Sequence, residues 1–446
     1  MTFPIRADTP VSFAGVAPAR ADVVVIGAGI IGVMCAWELA KDGVSVVLLE
    51  KGRVAGEQSS RNWGWVRTQG RDLAEVPIML DSQAMWPALE AEAGDVGLRQ
   101  TGTLYLADDE AEMGRYADWL AQARIYQVSS RILGAAQVAE MLPGVARPYA
   151  GALWTPTDMK AEPWVAVPQF ARAAQAAGAV IVENCAVRTL DVEGGRVTGV
   201  MTEAGRIAAQ AVVLAGGAWS SLLLRRHGVN IPQLSVRATV AATAPLGDVN
   251  LGGAVDRRLA WRKRADGGYS LAPAGFHELF VGPDAFRAFG SFTRQLWQDP
   301  LGTRLLPFAP KGYPDAWGTP RRWSADQISP FERMRVLDPK PNAAKVAKLA
   351  RDFEATFPQL GPVKIASRWA GMIDSMPDVV PVVDQVAALP GLTVCTGMCG
   401  HGFGIGPAMG RIAAKLATGT APGHDLSRFR LSRFHDGSRL VLGPNL

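Results

Sequence analysis

Residues 21–50 read ADVVVIGAGIIGVMCAWELAKDGVSVVLLE. The run Ala21–Ile26 is short, apolar and β-branched, the composition of a strand buried on both faces. Gly27, Gly29 and Gly32 follow at once and open a helical stretch, VMCAWELAKDG, whose Met34, Ala36, Trp37 and Ala40 suit a packed face. Gly43 ends it as a C-terminal cap, and a second apolar run, Val44–Leu49, closes on Glu50. Strand, glycine turn, helix and strand fit into roughly 30 residues, the length of a parallel βαβ crossover. The three glycines differ in what they permit. Gly27 makes the tight turn, Gly29 admits a diphosphate to the backbone, and Gly32 lets helix and strand pack closely. The first amides of the helix, those of Ile30 and Ile31 among them, present free N–H groups to an anion. Glu50, 18 residues beyond Gly32, stands where a carboxylate accepts hydrogen bonds from both ribose hydroxyls and repels a 2′-phosphate. The turn predicts a bound dinucleotide and leaves nicotinamide and flavin both open.

Composition narrows the field. The chain has 446 residues, 48% apolar and 20% charged, which is globular and long enough for two or three domains. A net charge of +5 is small for this length. The basic residues Arg257, Arg258, Arg262, Lys263 and Arg264 are too few and too local for a nucleic-acid partner. No run of 18 apolar residues is present, and the first 20 residues lack a secretory h-region. Four scattered cysteines and five histidines without ligand spacing argue against a disulfide scaffold and against a metal site. A reduced, cytoplasmic enzyme is expected.

Along the rest of the chain, residues 74–153 read as mostly helical, with a strand at Gly102–Leu106. Pro163–Ala177 is a helix, Ala186–Val192 and Arg196–Thr202 form a hairpin around Gly194-Gly195, and Ile207–Leu214 is a buried strand before Gly216. Alternating strands follow at Val236–Thr243, Leu259–Arg264 and Tyr269–Leu271. Residues 281–330, rich in Phe, Trp, Pro and Arg, read as a lid, a channel lining or a docking surface. Helix returns at Asn342–Thr356, and a glycine-rich loop after Leu392–Thr396 leads into a helix at Ala408–Thr418.

Three downstream motifs separate flavin from nicotinamide: GEQSSRNWG (56–64), VVLAGGAWS (212–220) and CGHGFGIGPAMG (399–410). Together with the first turn, they resemble the D-amino-acid oxidase (DAO) family of flavoproteins, which includes sarcosine oxidase, glycine oxidase and the D-amino-acid dehydrogenases. The resemblance covers essentially the whole chain, specifically at the ends and loosely in the middle. It implies FAD and an α/β fold: a Rossmann-like FAD-binding domain of the glutathione-reductase type, with an inserted α+β substrate domain on a mostly antiparallel sheet. The expected FAD-binding portion is 1–85, 155–232 and 365–446; the substrate portion is 86–154 and 233–364.

Carried over position by position, Gln58, Ser59, Ser60, Arg61 and Asn62 follow the diphosphate toward the flavin ring, and Trp63, Gly64 and Trp65 take pocket-facing places. Val187 touches adenine through backbone atoms, and Ala215, Gly216 and Trp219 lie beside the dinucleotide. Lys51 and Gly371 join this set. Gly400, His401, Gly402, Phe403, Gly404 and Ile405 begin a helix whose amides stabilise negative charge on the reduced flavin. His401 either adds to that positive field or is a structural hydrogen-bonding residue.

The resemblance further implies hydride transfer from a carbon–nitrogen bond to flavin N5, with the imine hydrolysed afterwards. Arg61, Trp63, Trp65, Arg67, Asp374 and His401 are the residues expected around the reaction. The family often places an Arg just before a Pro-Asp pair to hold a substrate carboxylate; by register from Pro377-Asp378, that place holds Ile373, with Asp374 next to it. Asp374 attracts an amine or is a buried capping acid. The other cationic candidates are Arg67, Arg262, Arg264, Arg333 and Arg335, and Trp63, Trp65, Trp261, Trp323 and Trp369 supply aromatic faces. The electron acceptor is O2 or a quinone, with Lys263 the nearest lysine for oxygen chemistry and a peripheral contact with the inner membrane compatible with residues 281–330. A 2-hydroxy-acid dehydrogenase and a flavin-binding subunit without amine chemistry are the alternatives.

Overall fold

The computed structural model describes residues 3–298 and 302–444. The strand Arg20–Ile26 pairs in parallel with Val46–Leu49 on one side and Gly205–Leu214 on the other. Val180–Val182 and Leu392–Thr396 extend the parallel set outward. Val24, Val25, Val47 and Leu48 are wholly buried, because helices or loops cover both faces of such a sheet and leave the middle of its central strands to apolar side chains. The hairpin Val187–Glu193 and Arg196–Thr202, turned by Gly194 and Gly195 at positive φ, completes a mixed eight-stranded sheet.

The helices Ile30–Lys41 and Gly402–Ala417 cross on one face of this sheet with almost no space between them. A Cβ on Gly406 would lie 2.5 Å from Ile30, and one on Gly410 2.5 Å from Met34. The second helix begins at Gly402, six residues before the start that apolar periodicity predicts. Glycine weakens an isolated helix by about 1 kcal/mol per residue relative to alanine, so local propensity argues against this start. The close approach that only glycine permits restores it.

The second sheet has ten strands, and all but two of its pairings are antiparallel. It runs from an edge strand Thr303–Leu306 through Leu234–Thr243, Leu259–Lys263 and Thr103–Ala107 to Arg131–Gly134. Two expectations change here. The stretch 74–153 contributes Arg131–Gly134 and Gly151–Thr155 as well as the anticipated strand, so it is less helical than its polar composition implies. Ile365–Ser375, grouped above with the FAD-binding portion, pairs along its length with Leu234–Thr243 in the ten-stranded sheet. Its partner lies some 130 residues away, and local patterning carries no trace of it.

Within 281–330 the chain forms two helices, Pro283–Arg287 and Phe289–Gln298, and the edge strand Thr303–Leu306. No helix among the described residues is long and apolar enough to cross a membrane.

Candidate active site and cofactor cavity

At the C-terminal ends of the parallel strands lies a cleft, open to solvent, that encloses about 910 Å³ of space. Gly27, Gly29, Glu50, Val187, Gly216 and Trp219 line it, drawn from four separate turns or strand ends. Gly27 sits at φ +99°, and a Cβ on Gly32 would lie 1.9 Å from the Gly27 carbonyl oxygen. A Cβ on Gly29, by contrast, would meet only the Ser59 hydroxyl, at 3.1 Å. The turn is closed on its packed side and open toward the cavity. The Ser59 hydroxyl accepts the Ile30 amide at 2.9 Å, at the start of the helix.

Glu50 accepts the Ala28 amide on one carboxylate oxygen and the Gly52 amide on the other, both at 2.8 Å. Each oxygen keeps a lone pair for a further donor. Burial pushes its carboxyl up to about 6, although Lys51 and the two amides pull the other way. Opposite it stands Glu57, which sequence reasoning did not single out. Its carboxylate takes the Lys51 ammonium at 2.5 Å, the Trp219 indole N–H at 3.1 Å and the Leu337 amide at 3.0 Å.

These contacts fasten the segment Phe331–Leu337 over the cavity. Arg335 pairs with Glu203 at 2.5 Å, Glu332 with Arg188 at 2.7 Å, and Lys51 donates to the Met334 and Arg335 carbonyls at 3.0 Å. Trp323 packs on Phe331 in this strap, and Trp261 packs on Phe353 and Phe357, so neither reaches the loop 61–67.

Not every cofactor candidate reaches the cavity wall. Gln58, Ser59, Lys51, Ala215 and Asp374 do. Ser60 is fully buried and accepts the Ile5 amide. Arg61, 1% exposed, donates to the carbonyls of Gly56, Glu57 and Ile5 and lies 3.3 Å from Asp338. It ties the N-terminal segment down and does not face the cavity. Ile30, Ile31, Phe403 and Ile405 point their side chains into the core, leaving only backbone for a ligand. Gly371 is glycine because a Cβ there would meet Gln58 Oε1 at 2.0 Å. Asp374 accepts the Gly397 amide at 2.8 Å and the Met398 amide at 3.3 Å, so it clasps the turn before the second glycine motif. Burial pushes its carboxyl above the ordinary range despite those amides.

A second group gathers at the N-terminal end of Gly402–Ala417. Backbone touches backbone there: a Cβ on Gly404 would lie 2.9 Å from Val66 Cα and 3.0 Å from the Trp65 carbonyl. Asn62 accepts the Gly64 amide at 2.8 Å and sets the bend that carries Trp63 and Trp65, whose rings meet edge to face at 5.1 Å. Arg67 follows, with its guanidinium 5.8 Å from the Trp65 ring and 5.3 Å from the Tyr105 ring. It is half-buried and donates to the Gln69 carbonyl. No carboxylate among the described residues lies within ion-pair distance of it. The other cationic candidates are engaged or outside: Arg262 pairs with Glu162 at 2.9 Å, Arg264 with Asp266 at 2.9 Å and Arg335 with Glu203, while Arg333 is exposed. Lys263 pairs with Asp248 at 2.6 Å.

Arg71 links this group to His401. It donates to the Arg67 and His401 carbonyls at 3.2 Å, and Glu75, wholly buried, lies 3.4 Å from Arg71 and 3.7 Å from the His401 ring. Burial, then the Arg71 charge, hold the His401 imidazole down at about 4, so it is neutral at pH 7 and adds no charge of its own. Burial raises the Glu75 carboxyl, but His401 and Arg71 outweigh it and leave it below its ordinary value. Glu75 and Tyr105 escaped sequence reasoning, since neither sits in a motif; an acid on the first turn of a predicted helix was the one available signal for Glu75.

Comparison with known proteins bears directly on this arrangement. The family model for FAD dependent oxidoreductases (DAO) matches residues 22–416. The chain belongs to that family. It is therefore an FAD-dependent oxidoreductase, and its cofactor is FAD. Mitochondrial sarcosine dehydrogenase from Mus musculus is 32% identical over 292 residues, 62% of this chain and 31% of its own, so the match spans about a third of that relative. Glycine oxidase from Geobacillus kaustophilus is 24% identical over 93% of this chain and 97% of its own. The solved structure of L-amino acid deaminase from Proteus myxofaciens, in complex with anthranilate, is 29% identical with a TM-score of 0.91, covering 96% of this chain and 97% of that one. The cavity itself fits FAD: an open glycine turn, a carboxylate with spare lone pairs at ribose distance along the chain, and Lys51, Arg53 and Arg335 lining the walls.

Proposed function

We propose that this enzyme oxidises the carbon–nitrogen bond of an amino acid, giving an imine that water hydrolyses, with O2 or a quinone as the final acceptor. The observation that carries the reading is Arg67: an interior guanidinium, held between aromatic faces beside the glycine-rich helix start, with no carboxylate of its own among the described residues. Such a group binds a substrate carboxylate in two-pronged fashion. Trp63, Trp65 and Tyr105 form aromatic walls that exclude water and shield that pair. Neutral His401 and the free amides of the helix start present partial positive charge without a proton to give away at pH 7. Bound FAD supplies the two-electron acceptor for the hydride leaving the substrate carbon.

In the same reading, Gly27, Gly29, Ser59 and the amides of Ile30 and Ile31 hold the diphosphate, Glu50 the ribose, and Val187 with Trp219 the adenine. Asn62, Gly64 and Gly371 border the path to the ring, and Gly400 to Gly404 face its far edge through backbone. Asp374 acts as a capping acid.

The test is anaerobic bleaching of the purified yellow protein by a panel of D- and L-amino acids, N-methyl amino acids, carboxylate-free amines and 2-hydroxy acids. Amino acids are expected to bleach it and carboxylate-free amines to fail. Bleaching by hydroxy acids alone, or by amines regardless of a carboxylate, overturns the proposal. No bleaching by any of them favours a flavin-binding subunit.

A further inference from the structure

Of the fifteen large apolar side chains left exposed among the described residues, eight fall between 286 and 328. Trp297 is 86% exposed, Phe308 70%, Phe286 66% and Phe289 59%. They sit on a defined scaffold. The helix Phe289–Gln298 is two-sided: Phe292 packs with Leu234 and Ala288, while Phe289, Leu296 and Trp297 face out. Phe286 and Trp317 meet at 5.9 Å, and Leu305 lies exposed on the edge strand Thr303–Leu306. Exposed apolar groups scattered singly need no explanation, but this concentration does.

The unpaired charges around them are mostly positive among the described residues. Arg294, Arg304, Lys311 and Arg322 are exposed, and none lies within ion-pair distance of a carboxylate among the described residues. The acids of the same segment are largely consumed: Asp284 by Arg225 at 2.5 Å and Asp315 by Arg321 at 3.1 Å, leaving Asp326 as the exposed described acid. A second copy of the chain would set these four cations against four more. An anionic lipid surface meets both features at once, since aromatic side chains settle at the headgroup level and arginines pair with lipid phosphates.

We infer that residues 286–298 and 302–322 form a peripheral docking surface for a bilayer containing anionic phospholipid. Docking of this kind leaves the protein outside the hydrocarbon and reversible in salt.

The experiment is co-sedimentation of the FAD-loaded, full-length protein with vesicles of phosphatidylcholine, alone and mixed with phosphatidylglycerol, at low and high salt. Binding is expected to the mixed vesicles, with about tenfold weaker partition to phosphatidylcholine alone and in high salt. W297S/F308S removes apolar anchors, and K311E/R322E reverses exposed charge without touching packed residues. Each is expected to weaken partition about tenfold while flavin content and bleaching rate stay unchanged. Equal partition of both variants and the parent, or no preference for phosphatidylglycerol, overturns the inference. So does concentration-dependent self-association by gel filtration that W297S/F308S abolishes, because the face is then an interface between copies.

Discussion

The two ends of the site are built by opposite means. Around the dinucleotide cavity, close backbone approach does the work: Gly27 against Ala215, Gly32 against Gly27, Gly406 and Gly410 against the facing helix. Around Arg67, side chains do it: two aromatic faces, a buried Arg71–Glu75 pair and a neutral imidazole drawn from three separate segments. A backbone-built site tolerates no side chain at its contact points, and a side-chain-built site tolerates substitution in proportion to the chemistry lost.

The largest effect expected from that contrast is at Gly32. Gly32→Val places carbon atoms where the Gly27 carbonyl already stands, at a cost of about 3 kcal/mol or more, and should yield colourless or aggregated protein. Gly29→Ala, with space on its cavity side, should fold and bind flavin weakly. Thermal unfolding and flavin absorbance after desalting check both; a yellow, stable Gly32→Val protein breaks the comparison.

On the other side, Arg67→Ala should lower kcat/KM for the best amino acid roughly a hundredfold, a loss of about 2–4 kcal/mol, with the melting temperature nearly unchanged. Arg67→Lys should recover part of it, since it keeps the charge and loses the fork. Steady-state kinetics with unchanged activity in Arg67→Ala would put the carboxylate site elsewhere.

His401 sharpens the contrast through pH. Its imidazole titrates near 6.5 in the unfolded chain and at about 4 in the folded one. Between those values the unfolded chain takes up a proton that the native one refuses, so stability falls as pH drops, by about 2–3 kcal/mol from this group. Glu75, held low in the fold, adds to the loss only at still lower pH, as it is protonated. Urea midpoints at about pH 7 and about pH 4.5 should show a shallower decline in His401→Gln; an identical decline would mean the ring is charged in the native state.

Smaller effects are expected at two supports. Asp374→Asn should cost about 1–2 kcal/mol of stability through weakened bonds to Gly397 and Met398, with KM unchanged. A raised KM would instead make Asp374 a ligand for the substrate amine. Arg335→Ala loosens the strap at a half-exposed ion pair, worth less than about 1 kcal/mol, and should quicken flavin loss a few-fold at low salt only.

Legibility followed the same division. The glycine turn, Glu50 and the strand–helix–strand unit that begins at Arg20–Ile26 could be read locally, because burial on both faces and the absence of a Cβ each leave a mark at one position. Arg67 was visible only as one of several arginines. What distinguishes it is that Arg262 and Arg335 found carboxylates in distant segments and Arg264 found one two residues on, whereas Arg67 has none within ion-pair distance among the described residues. Arg61 looked equally suitable for catalysis, yet it anchors the N-terminal segment through Ile5 and Asp338, contacts that no spacing rule encodes.

The amino-acid sequence alone determined the βαβ unit and its dinucleotide turn, since these rest on constraints acting within a few residues, and the resemblance of three further motifs implied the flavin and the α/β architecture around it. Tertiary structure decided which charged side chains are paired, which of the predicted residues face the cavity, and that Ile365–Ser375 joins the ten-stranded sheet. Charge compensation and strand pairing are relations between residues far apart along the chain, and only the folded arrangement brings the partners together.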